Sequence, residues 1–298
     1  MKKIAAIDIG SNAVRMLICY VISSEDKHFF QKNSYLRLPL RLGEDTFKNG
    51  VISNQKITLL TNAILSFKYI MKVHCVKDYQ IYATSALRES KNSKEVISIV
   101  KKKTGLNIEL ITGLKEAKII SKGNSLEQID FNKTFIYVDV GGGSTELSIL
   151  RKGEQKISKS FKIGTVRLLN NLVDDSILME IKHWLKSNID SDDKIKLFAT
   201  GGNINKIQSM TGSKSGKPIS YLSIKDLSNI LIEFNYQERM VKFDLNPDRA
   251  DVIIPALKIF ISTMEFVKAN KIFVPKVGLV DGMINEIFYE NSSSKLDS

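Results

Sequence analysis

Phe135-Ile136-Tyr137-Val138-Asp139-Val140-Gly141-Gly142-Gly143-Ser144-Thr145-Glu146 is an apolar run, an aspartate and a glycine-rich turn, and a second apolar run follows from Leu147 to Leu150. The pattern predicts a β-hairpin with glycines at its tip. Three consecutive glycines are costly in conformational entropy and odd in a plain turn. What they offer is close approach, with successive N–H groups aimed at a ligand, which suits phosphate oxygens. An aspartate just before such a turn repels phosphate itself but can hold a Mg²⁺ that bridges to it. The same layout occurs 131 positions earlier, in Ile4-Ala5-Ala6-Ile7-Asp8-Ile9-Gly10-Ser11-Asn12, followed by Val14 to Ile22.

Outward from these hairpins the chain reads as a duplicated α/β unit. After the first come a basic strand-like segment, Phe29 to Arg41, a loop from Gly43 to Gly50, and a helix from Asn54 to Lys72 capped by Ser53. Strands at 79–82 and 107–111 alternate with helices starting near Ala83 and Glu95, and Gly113 leads into another helix. After residue 120 the chain begins again with a hairpin. Helices are expected at 166–172, 176–188, 223–235, 247–269 and 279–290, strands at 196–199 and 271–274, and a polar tail at 291–298. The helix at 247–269 is apolar on most sides and reads as a buried core helix. The expected architecture is two α/β domains, 1–120 with the C-terminal helix about 285–298, and 121–284, with a cleft between them.

Composition excludes several classes. At 298 residues, 26% charged and 43% hydrophobic, the chain is ordinary for a soluble protein. No apolar run reaches the length of a membrane span, Asp8 interrupts any signal-peptide core, and a cytoplasmic location is expected. Two cysteines without metal spacing read as reduced thiols. The three histidines, His28, His74 and His183, form no metal motif, so any metal should be a hard cation held by oxygen. Neither GxxxxGK[ST] nor GxGxxG occurs. Net charge is +12, with 20 Lys/Arg against 10 Asp/Glu in residues 1–120, a balance that suits a long polyanion.

Together the motifs resemble the exopolyphosphatase / guanosine pentaphosphate phosphohydrolase (Ppx/GppA) family, in its short two-domain form, within the actin-like superfamily. The resemblance runs from Ile4 to about Glu290. It is carried by Asp8 to Asn12, Ala83-Thr-Ser-Ala-Leu-Arg88, Ile111-Thr-Gly-Leu-Lys-Glu-Ala117, Asp139 to Leu147, Lys162-Ile-Gly-Thr-Val-Arg167, Ala199-Thr-Gly-Gly-Asn203 and Gly278-Leu-Val-Asp-Gly282. It implies two actin-like, ribonuclease H-like domains and Mg²⁺-dependent release of terminal phosphate from inorganic polyphosphate. Guanosine pentaphosphate or tetraphosphate is the alternative ligand, for a hydrolase or a non-catalytic sensor. Neither a nucleic-acid nor a membrane partner is implied, and a homodimer is left open.

Residue by residue, the resemblance implies Glu116 as general base, with Asp139 and Glu146 organising metal and water. Asp8 is implied as a further metal ligand. Gly10, Ser11, Asn12, Arg88, Gly141, Gly142, Gly143, Ser144, Thr145, Gly201 and Gly202 are implied to bind phosphate. Such an arrangement is chemically coherent, since phosphoanhydride hydrolysis needs an in-line water, a base near it and positive groups on the phosphoryl oxygens. Arginine can grip those oxygens bidentately where lysine cannot. Arg167 matches a family block, although an ion pair with Asp174 or Asp175 would explain it equally. This chain departs from the pattern at Lys115, usually glutamate, at Asn203, usually threonine, and at Val280 and Asp281, where arginine and glutamate are common. The expected effects are a contact of Lys115 with substrate or with the charge of Glu116, and a weaker phosphate contact near Val280.

Overall fold

Along Lys2–Ile9 the apolar side chains fall on both faces: Ala5, Ile7 and Ile9 enter one hydrophobic cluster, Ile4 and Ala6 another. A strand apolar on both faces must be covered on both, and this one lies in mid-sheet. The computed structural model describes residues 2–24, 27–121, 134–151, 154–174, 176–190, 193–213, 217–275 and 278–293. The chain divides into two compact units, Met1–Asn124 with Val277–Ser298, and Ser125–Lys276.

The first unit runs β1 (Lys2–Ile9), β2 (Val14–Ser24), β3 (Lys27–Leu38), α1 (Leu42–Asn49), α2 (Asn54–Val73), β4 (Asp78–Ala83), α3 (Ser85–Glu89), α4 (Ser93–Thr104), β5 (Glu109–Leu110) and α5 (Gly113–Ser121). The second runs β6 (Thr134–Val140), β7 (Thr145–Arg151), β8 (Glu154–Phe161), α6 (Thr165–Leu169), α7 (Ile177–Asn188), β9 (Ile195–Thr200) and α8 (Gly202–Met210). It continues through β10 (Ile219–Ser220), α9 (Tyr221–Ile232), α10 (Tyr236–Phe243), α11 (Pro247–Ala250), α12 (Ile253–Phe266) and β11 (Lys271–Phe273). The closing helix, α13 (Leu279–Ser293), returns to the first unit and packs on β1, β2, β4 and α5.

Strand order displays the duplication. The first sheet reads β3-β2-β1-β4-β5, and the second reads β8-β7-β6-β9-β11 with β10 added at its edge. In each, a three-stranded antiparallel meander is joined by a parallel strand beside the first. The match reaches single residues. Asp8 lies opposite Arg15 and Asp139 opposite Glu146, and the register slips between Ile18 and Cys19 in one unit and between Ile149 and Leu150 in the other. This is the two-domain actin-like fold.

Local signals account for most elements. Ser53 accepts from the Lys56 N–H at the start of α2, and Ile57, Leu60, Ile64, Phe67 and Met71 form its buried face. Helix α12 buries Ile253, Ala256, Leu257, Ile259, Phe260 and Met264, as its all-round apolar sequence predicts. Among the described residues no helix is long and apolar enough to cross a membrane.

Several segments differ from the sequence reading, among them β8, α8 and β10, which it does not anticipate. The expected loop 43–50 is helix α1, whose C-cap Gly50 has φ +75° and returns its N–H to Thr46. The expected helix 247–269 is two helices, because Asp251 and Val252 break the run after Pro247–Ala250. Helix α10 was not anticipated, although Asn235 and Glu238 form a reciprocal capping box at its start. The tail expected at 291–298 begins as helix through Ser293, and 294–298 lie outside the described residues.

The crossing of α13 over α5 depends on Gly282. A Cβ at that position would land on the backbone carbonyl of Ile119, which no rotamer change can move aside. Alanine in a helix interior ordinarily gains about 1 kcal/mol over glycine. Here we expect overpacking to reverse the sign, so that Gly282→Ala lowers stability by about 1–3 kcal/mol in a urea melt. An unchanged or raised midpoint would show that the two helices do not cross this closely.

Candidate active site

In the second unit the loop between β6 and β7 is closed by the Gly141 N–H, which donates to the Ser144 carbonyl at 2.9 Å. A Cβ on Gly141 would sit 3.1 Å from that carbonyl oxygen, so the tight return favours glycine. The remaining loop carbonyls face α6. Thr165 N–H donates to Gly141 O (3.0 Å), Val166 and Arg167 N–H to Gly142 O (2.9 and 3.3 Å), and Arg167 Nε to Gly143 O (2.7 Å). Gly164 lets the helix descend onto the loop, since a Cβ there would overlap the backbone of Gly142 and Gly143.

The geometry of the peptide bond does the rest. In a trans peptide the C=O and N–H point in opposite directions, and no cis bond is present among the described residues. With the carbonyls of residues 141–143 turned to α6, the N–H groups of Gly142, Gly143 and Ser144 point away from it. Among the described residues no backbone carbonyl accepts from them. Three adjacent donors facing one way have the geometry of a cradle that can take an anion. Arg167 brackets this loop through Gly143 O, and Asp175, one of the two partners expected for it, lies outside the described residues.

Beside the cradle lie two carboxylates. Glu146 is 4% exposed, and its Oε1 accepts from Ser144 Oγ at 2.6 Å and Ser160 Oγ at 2.9 Å. Its cross-strand neighbour Asp139 brings a carboxylate oxygen within 4.8 Å of one on Glu146. Two carboxylates this close repel unless a proton or a cation lies with them, and all-oxygen donors suit a hard divalent ion such as Mg²⁺. Asp139 also explains Gly201, where φ is +101° and a Cβ would come within 2.8 Å of Asp139 Oδ1. Gly202 lies under the guanidinium of Arg249, whose Nη1 donates to Asn203 Oδ1 at 3.0 Å. Thr145, by contrast, is fully buried and donates to Ile163 O at 2.7 Å, a tie within the fold.

The first unit repeats the loop with different chemistry. Gly10 N–H closes it on Ala13 O (3.1 Å), while the start of α1 takes the carbonyls: Gly43 N–H donates to Ser11 O (2.8 Å) and Arg41 N–H to Asn12 O (3.0 Å). By the same peptide geometry the N–H groups of Asn12 and Ala13 turn away from α1. The Ser11 hydroxyl is buried against Ser85 Oγ at 2.8 Å. Asp8 is 2% exposed and holds Arg15 Nη1 at 2.5 Å through Oδ2, while its Oδ1 is buried without a hydrogen-bond partner. Burial pushes the Asp8 carboxyl up and Arg15 pulls it back, with burial the stronger. An aspartate already carrying a guanidinium has less charge to offer a cation than the Asp139–Glu146 pair.

Glu116 sits in the first turn of α5, whose start is capped by Thr112: its Oγ1 accepts from Lys115 N–H and its carbonyl from Glu116 N–H. Arg88 Nη1 donates to Ile111 O at 2.8 Å and lies 3.7 Å from Glu116 Oε2, so one guanidinium ties α3 to this turn. At the α13 end, Val280 is 4% exposed within a hydrophobic cluster, and Asp281 bonds Gly278 N–H and Lys32. Those two departures anchor the helix to β3.

The profile of the Ppx/GppA phosphatase family matches residues 21–290. The chain belongs to the Ppx/GppA family. It is 30% identical over 309 residues to a bifunctional 3-dehydroquinate synthase/phosphatase of Fusobacterium nucleatum, covering 95% of this chain and 46% of that protein. It is 28% identical over 210 residues to exopolyphosphatase 1 of Mycobacterium leprae, covering 67% of this chain and 59% of that one. The chain thus spans about half the length of these two curated relatives. Among solved structures, an exopolyphosphatase from Cytophaga hutchinsonii aligns with TM-score 0.85 at 22% identity, over 95% of this chain and 97% of that one. A Ppx/GppA family member from Aquifex aeolicus aligns with TM-score 0.77 at 24% identity, over 97% and 99%.

Within this Ppx/GppA chain, three residues that touch the predicted ones escaped the sequence reading: Arg15 in the first unit, and Ser160 and Arg249 in the second. Arg15 was findable, because a two-stranded register from Asp8 places it opposite. Ser160 and Arg249 meet Glu146 and Asn203 from β8 and α11, elements with no glycine-rich turn to mark them. If Arg167 orients the cradle, Arg167→Gln should weaken inorganic phosphate binding about tenfold, the scale of one charge-assisted hydrogen bond. Calorimetry checks this, and wild-type affinity would remove the bracket role.

Proposed function

We propose that the chain is a Mg²⁺-dependent exopolyphosphatase of the cytoplasm, releasing terminal orthophosphate from inorganic polyphosphate. The observation that carries this reading is the pairing, within one loop, of an outward N–H cradle with the Asp139–Glu146 carboxylates. Phosphate alone would need only the cradle, and a cation alone only the carboxylates. A phosphoanhydride chelated to a hard cation uses both. The family is one of phosphatases, and the Mycobacterium leprae relative is named for exopolyphosphatase activity. Both cysteines are free thiols, which fits a reducing compartment.

In this reading Glu116, fixed by Arg88 and by the Thr112 cap, accepts the proton of the attacking water. Asp139 and Glu146 would hold the cation, which would supply positive charge against the phosphoryl oxygens. The N–H groups of Gly142, Gly143 and Ser144 orient the neighbouring phosphate, and those of Asn12 and Ala13 bind a further one. Ser144 and Ser160 hold Glu146 in the orientation a ligand needs. The excess of lysine and arginine in residues 1–120 favours a long polyanion over a nucleotide.

The test is phosphate release from polyphosphate, guanosine pentaphosphate and ATP in parallel, with Mg²⁺ and with chelator. We expect polyphosphate to be hydrolysed best and chelation to abolish release. Glu116→Gln should lower kcat by about 10²–10⁴-fold, the usual contribution of a general base. Preference for guanosine pentaphosphate would reassign the substrate, and an undiminished Glu116→Gln rate would remove the base.

A further inference from the structure

Lys115 stands next to Glu116 where the family pattern has an acid, and its ammonium is engaged within the first unit. Nζ lies 2.8 Å from Glu109 Oε1 and 4.5 Å from the centroid of the Tyr82 ring. The Tyr82 hydroxyl in turn donates to Glu286 Oε2 on α13 at 2.9 Å. Tyr82 and Glu109 are register partners on β4 and β5, and Asp8 is the partner of Tyr82 on β1. In-register partners share a sheet face, so Asp8, Tyr82 and Glu109 form one row, and Lys115 fastens α5 to it.

Each link suits a tether. Burial works against the charged ammonium, yet the hydrogen bonds to Glu109 and Tyr82 together hold Lys115 above its ordinary range. Burial also pushes the Tyr82 hydroxyl up, so it stays protonated and remains a donor to Glu286. An acid at position 115 would face Glu109 directly, with like charges in contact, and could not lie favourably over an aromatic face. In this chain, therefore, the lysine is matched to Glu109 and Tyr82.

We propose that Lys115 is a positioning residue: through Glu109 and Tyr82 it fixes the first turn of α5, and so sets the carboxylate of Glu116. The claim rests on Glu116 acting as the base. Lys115 does not touch substrate, and its effect runs through its neighbour in the chain. Since Tyr82 also holds Glu286, the same turn is coupled to the seating of α13.

The experiment compares Lys115→Met, Lys115→Arg and Glu116→Gln, alone and as the Lys115→Met/Glu116→Gln double variant, on polyphosphate with Mg²⁺. A misplacement of this size at a reacting group is expected to cost about tenfold or more in kcat. Lys115→Met should show that loss at unchanged KM and unchanged salt dependence, and Lys115→Arg should restore most of it. In the Glu116→Gln background, Lys115→Met should cost nothing further. Hydrogen exchange of the peptide spanning 113–116 gives a readout independent of turnover, and it should quicken in Lys115→Met and recover in Lys115→Arg. A raised KM with intact kcat would make Lys115 a substrate contact and overturn the tether. So would a full additional loss in the Glu116→Gln background, or wild-type exchange and wild-type kcat in Lys115→Met. An inactive Glu116→Gln beside a fully active Lys115→Met removes the tether alone, whereas an active Glu116→Gln removes the base assignment and the tether with it.

Discussion

A peptide group has two ends, and the fold decides which end a ligand meets. At Gly141–Ser144 that decision is made by α6, whose N-terminal amides and Arg167 take the loop carbonyls and leave the N–H groups turned outward. Without that capture, three glycines would be a flexible turn with no preferred polarity. With it, they become a directed set of donors. The helix reaches the loop only because Gly164 has no side chain to obstruct it, so one glycine outside the motif sustains the chemistry of the three within it.

The first unit applies the same constraint through α1, with Gly43 in the place of Gly164. The two loops then diverge at one matched position. Opposite the aspartate stands an arginine in one hairpin and a glutamate in the other. The first aspartate thereby has its charge compensated within its own loop, and the second lies beside another carboxylate. Within the first unit, Arg88 of α3, the Thr112 cap and Glu109 of β5, which bonds Lys115, all bear on the turn that carries Glu116.

Much of this was legible beforehand, and the exceptions have physical causes. Both hairpins, α2 and α12 announced themselves because their apolar residues recur at the period of the structure they form. Helix α10 buries no residue, so periodicity had nothing to report, although its Asn235–Glu238 capping box was in plain view. Strand β8 (Glu-Gln-Lys-Ile-Ser-Lys-Ser-Phe) is mostly polar and shows as a strand only when the meander of the first unit is used as a template. At the site, the glycines and acids were visible by type, whereas Arg249 meets Asn203 across 46 positions of chain, a distance that no local pattern spans. Lys115, read as a departure near the substrate, proved to be bonded to Glu109.

The charge reversal between Arg15 and Glu146 shows how a duplicated unit comes to hold two chemistries. Both hairpins keep the aspartate, the closing glycine and the register slip, so the backbone is held to one pattern. The side chain facing the aspartate takes no part in the main-chain hydrogen bonds that set this register. A change at that one position therefore alters the charge beside the aspartate and leaves the hairpin as it was.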